Sequence, residues 1–172
     1  MKLSKISNIT KGGILTALSF ICIYLSSILP TNKFSLMAIT SFIIILSIIS
    51  IGVKTSILIY IAVSFLSFFM VGSKGIVLTY ILFFGLYGFL KYYIEYFRNV
   101  PLELLLKLIF FNISMFILIY LYKTIFIGEF NLSKIHFPIY AIIGAVEILF
   151  FVFDYILTLF VAYYNNHFAS KF

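Results

Sequence analysis

Two carboxylates, Glu147 and Asp154, stand seven residues apart in the stretch 138–165, which is otherwise almost wholly aliphatic and aromatic. Seven residues is close to two turns of an α-helix, so both side chains leave one stripe, about 10 Å apart along the axis. Ionisable groups in such a run are costly unless they face neighbouring helices or a water-filled cavity, which directs the stripe inward. There the pair can line a site for a polar solute, preferably a cationic one, or it can tie one helix to another. The preceding apolar run offers two donors, Lys107 and Asn112. In an antiparallel hairpin, residues at equal depth have numbers with a constant sum. The run midpoints then set Lys107 opposite the turn of Asp154, and Asn112 within about a turn and a half of Glu147. The expected seam holds Glu147 and Asn112 toward the outer side and Asp154 neutralised by Lys107.

Enzymatic chemistry finds little else to work with. There is no His-Glu-x-x-His, no Gly-x-Ser-x-Gly and no phosphate-binding glycine loop, and two acids without further ligands make a thin metal shell. A non-enzymatic protein without cofactor or metal is the expectation. Cys22, the one cysteine, lies inside the first apolar run and reads as packing.

The elements that must position the seam follow from composition. Apolar residues make up 64% of the 172 and charged residues 10%, with a mean hydropathy of +1.22; soluble domains carry roughly a quarter charged residues. Since a spanning helix needs about 20 mostly apolar residues, the chain accommodates six and no separate soluble domain. The expected fold is an all-α membrane bundle, a single domain over 1–172. Its helices fall near 12–29, 34–52, 56–71, 76–93, 103–126 and 138–164. Pro30, Pro101 and Pro138 all fall at boundaries, and Gly52 to Thr55 and Gly72 to Gly75 read as tight turns. The lysine-rich start followed by an apolar run has the order of a signal peptide. The run is too long for one and no small-x-small site closes it, so it reads as a retained first helix. Thr40, Ser41, Ser47 and Ser50 are expected to bond back to their own helix.

Net charge is +7, but the twelve Lys and Arg are scattered over the boundaries of the runs, which excludes a nucleic-acid patch and points to topology and anionic lipid. With the N-terminus inside, Lys2, Lys5, Lys11, Lys54, Lys91, Arg98, Lys107 and Lys171 fall on the cytoplasmic side. Lys33, Lys74, Lys123 and Lys134 fall outside, so both termini are expected to be cytoplasmic. Lys91 and Glu95 form an i,i+4 pair with Arg98 one turn further, a surface for a cytoplasmic partner or lipid. Just before it, Phe83-Phe84-Gly85-Leu86-Tyr87-Gly88 spaces two glycines for close helix approach and offers Tyr87 as a ligand contact.

This pattern resembles the substrate-binding S components of energy-coupling factor transporters. More narrowly, the Phe83 to Gly88 segment with Lys91 and Glu95, and Leu106-Lys107 with Phe110-Phe111-Asn112, are similar to a family of small polytopic membrane proteins from clostridia and related Firmicutes. The closer resemblance brings no substrate. The broader one implies a multi-pass protein of the bacterial plasma membrane. Such a protein binds a micronutrient near the outer face and is driven by a transmembrane coupling subunit with separate ATPases. S components dock through an Ala-x-x-x-Ala face on the first helix; here the match is Gly13-x-x-x-Ala17 with Thr16 beside it. The competing expectation is a membrane scaffold of a cell-envelope assembly complex, for which a bundle closed by Lys107 and Asp154 would speak.

Overall fold

The computed structural model describes residues 2–97, 99–125 and 139–168. Its helices are α1 (Lys2–Ile28), α2 (Lys33–Ile51), α3 (Val53–Met70), α4 (Lys74–Thr79), α5 (Gly85–Ile94), α6 (Val100–Ile125) and α7 (Ile139–Phe168). A π-helical turn, Tyr80–Phe84, joins α4 to α5 without a break, and a short 3₁₀ turn, Glu95–Phe97, follows. Six spans among the described residues are long and apolar enough to cross a bilayer, with Lys74–Phe97 counting as one. The helices gather into two compact units, Met1–Glu103 and Leu104–Phe172.

Several ends differ from expectation. The first helix starts at Lys2 and not near Gly12, because lysines are good helix formers and need not enter the apolar layer. The α2–α3 connection is one residue, Gly52, whose φ of 98° is open to glycine and strained for other residues. Pro101 lies within the first turn of α6, where its missing N–H removes no helical bond. The last helix runs past the expected end near 164, and His167 in its final turn stacks on Tyr163 at 4.4 Å.

Unit 1 is organised around α2, which meets α1, α3 and α5. Its isoleucines are apolar on every side, so it must be surrounded, and Ile43, Ile44, Ile45 and Ile48 are all buried. Thr40, Ser47 and Ser50 bond back to carbonyls of their own helix as expected. Ser41 departs from this: its hydroxyl crosses to the carbonyl of Phe84, 2.6 Å away. The π turn explains the difference. A π turn disturbs the i→i−4 ladder, and carbonyls that lose partners in an apolar layer need replacements. Tyr60 on α3 donates its hydroxyl to the carbonyl of Ile81 inside the turn, 2.9 Å away, and Ser41 donates at Phe84, the last residue of the turn. Gly85 and Gly88 let these elements close: a Cβ on Gly85 would stand 2.6 Å from the Tyr60 ring, and one on Gly88 2.9 Å from Ile44.

Candidate functional site

In unit 2 the antiparallel register of α6 and α7 is fixed by two contacts. Lys107 Nζ donates to Asp154 Oδ2 at 2.8 Å. The rings of Phe111 and Phe150 stack with centroids 4.5 Å apart and planes within 20°. A step of four residues forward on α6 is thus matched by four residues back on α7, as the hairpin expectation required. Lys107 is 4% exposed and Asp154 7%, so each charge is buried and compensated by the other.

Continuing that register, Glu147 comes level with Ser114 and not with Asn112. Asn112 is exposed and donates its amide to the carbonyl of Leu108 on its own helix, 3.0 Å away. The expected Asn112–Glu147 pairing is therefore corrected, and the reason is angular. Asn112 is five residues from Lys107, about 140° around the helix, whereas Phe111, Ser114 and Leu118 fall within about 40° of Lys107. Those three are buried. The spacing from Lys107 alone carried this signal, which depth arithmetic overlooked. Glu147 itself is half-buried, on the stripe of Phe150, Asp154 and Leu157. Among the described residues its carboxylate has no hydrogen-bond or ionic partner.

The other expected residues lie in unit 1. Tyr87 is fully buried and stacked on Phe83 at 5.7 Å, a packing position that leaves no surface for a ligand. Lys91, read from sequence as part of a docking surface, is 1% exposed and bonded to Glu95, which retains 30% exposure. Its long stem is drawn into unit 1 from the end of α5, which leaves Glu95 the more accessible of the two charges. Arg98 is outside the described residues. On α1 the buried stripe is Gly12, Ser19, Ile23 and Ser26. Gly13 and Ala17 lie on the opposite, exposed side, with nothing within 4 Å of a Cβ on Gly13. Thr16 is half-buried and bonds back to Gly12. Cys22 is a half-buried free thiol, and no group of three or more His, Cys, Asp or Glu able to hold a metal occurs among the described residues.

Comparison with protein-family models, with curated proteins and with solved structures gives no match. The class is set by the helices themselves: six apolar spans and two buried counter-charges make this a multi-pass membrane protein whose surroundings are lipid.

Proposed function

We propose that the chain is the membrane-embedded solute-binding subunit of a micronutrient uptake system of the energy-coupling factor type, with both termini in the bacterial cytoplasm. The observation that supports this reading is the outward face of α1. Small residues at four-residue spacing serve internal packing as readily as docking, but Gly13 and Ala17 are exposed while Gly12 takes the internal role. A transmembrane coupling subunit carrying its own ATPases is the partner that fits. Glu147 is the solute-facing group, because Asp154 is already neutralised and Glu147 has no partner among the described residues. The test is affinity purification of the tagged chain from its native membrane. A nucleotide-binding ATPase should come with it, Ala17→Leu should remove that ATPase while the isolated protein stays folded, and a reporter active only outside the cell should be silent when fused at Phe172.

A second reading, a scaffold of a cell-envelope complex, draws support from the same Lys107–Asp154 bond, since a hairpin closed by ionic pairing needs no cargo. Recovery of envelope-synthesis proteins in place of the ATPase selects it.

A further inference from the structure

Unit 1 contains three fully buried hydroxyls with no hydrogen-bond partner among the described residues: Ser19 on α1, Ser67 on α3 and Tyr80 at the start of the π turn. Other hydroxyls in this unit find carbonyls, Ser47, Ser56, Ser64 and Thr79 three or four residues back and Ser41 and Tyr60 on neighbouring elements. Ser19 and Ser67 decline that option, and an apolar layer supplies no bulk water in its place.

Their positions share a depth. α1 and α3 run parallel, with Gly12 facing Thr55 and Ile59, so seven residues further on Ser19 comes level with the turn between Val63 and Ser67. α4 runs the opposite way, and the bond from Tyr60 to Ile81 sets Tyr80 beside Tyr60, with ring centroids 6.0 Å apart. Helical side chains lean toward the N-terminus of their own helix, so the Tyr80 ring reaches toward the Val77 turn and Ser67 leans back toward Val63. Both lean into the layer of Ser19. Helix α1 meets both α3 and α4, so the three helices enclose that layer. The residues on it, Ile23, Val63 and Val77, are fully buried and uncharged.

We propose that Ser19, Ser67 and Tyr80 hold an ordered internal water at the junction of α1, α3 and α4. Each hydroxyl both donates and accepts, which suits a neutral ligand, and three of them match the usual number of partners of a buried water. Such a water joins three helices at one point and is independent of Glu147 and of the outer face of α1.

The experiment is X-ray radiolytic labelling of the intact protein in detergent, in ¹⁸O-water. Radicals formed from an internal water oxidise the ring beside it, and Tyr87, as fully buried as Tyr80, is the internal control. Tyr80 should take up label several-fold faster than Tyr87. Equal or slower labelling of Tyr80 overturns the proposal. A thermal double-mutant cycle gives a second reading. Tyr80→Phe should lower Tm, and Ser19→Ala should cost little once Tyr80→Phe is present, because both act through one water. If Tyr80→Phe raises Tm, or the two shifts add independently, the hydroxyls do not share a ligand.

Discussion

The two units solve the same problem by opposite means. Unit 1 packs backbone against side chain: Gly85 sits against the Tyr60 ring, Gly88 against Ile44, and the π-turn carbonyls are taken up by hydroxyls from α2 and α3. Unit 2 sets large side chains between its helices, among them the Lys107–Asp154 ion pair and the Phe111–Phe150 stack, and Gly144 has nothing within 4 Å of a Cβ. Burial is uneven within unit 1, with 61% of the fourth span and 44% of the second buried but 28% and 22% of the first and third, against 22% and 17% for the two spans of unit 2. Where no hydrophobic force draws helices together, many small close contacts and a few strong polar ones are the available alternatives.

The largest expected effect breaks the ion pair of unit 2. Asp154→Asn leaves Lys107 buried without its counter-charge and should cost about 3–5 kcal/mol, read as a fall in melting temperature in detergent. Replacing both partners together, Lys107→Met with Asp154→Leu, should recover most of that loss, since the desolvation penalty goes with the charges. A double variant no more stable than Asp154→Asn would mean that the bond contributes more than its own compensation.

Next come the glycines, which sharpen the contrast because the same change should have opposite signs in the two units. Gly88→Ala in unit 1 should destabilise by about 1–3 kcal/mol through overpacking on Ile44. Gly144→Ala in unit 2 should stabilise by about 0.5–1 kcal/mol, since it meets open space. Equal signs in a pair of melts would erase the distinction. Tyr60→Phe should cost about 1–3 kcal/mol by leaving the Ile81 carbonyl without its donor. The loss should appear as faster amide hydrogen exchange in 80–85 and not in α7.

The smallest expected effect is at Glu147. Glu147→Gln keeps shape and hydrogen-bonding capacity at a half-buried position without a described partner, so Tm should move by less than about 0.5 kcal/mol in equivalent stability. Under the proposed function, solute binding should be lost. A loss of stability as large as that of Asp154→Asn would make Glu147 a structural tie and remove the solute-facing role.

Much of this is legible in the sequence. Six spans follow from hydropathy because lipid leaves the backbone few choices, and Lys107 opposite Asp154 follows from the geometry of a hairpin. What escaped depended on partners distant in sequence. The π turn has no sequence marker of its own; it is held by Ser41 and Tyr60, and Ser41 looked like any serine that bonds back to its helix. Lys91 looked solvated because an i,i+4 ion pair says nothing about which side of the helix is covered. Asn112 shares a depth with the seam but not its face, since five residues from Lys107 turn it about 140° away.

Gly52 carries a consequence for how the chain enters its membrane. With a single residue between them, α2 and α3 cannot choose orientation separately; if one inverts, the other must. Exposed Lys54 stands at the tip they share. Any bias that Lys54 exerts on orientation therefore acts on both spans at once.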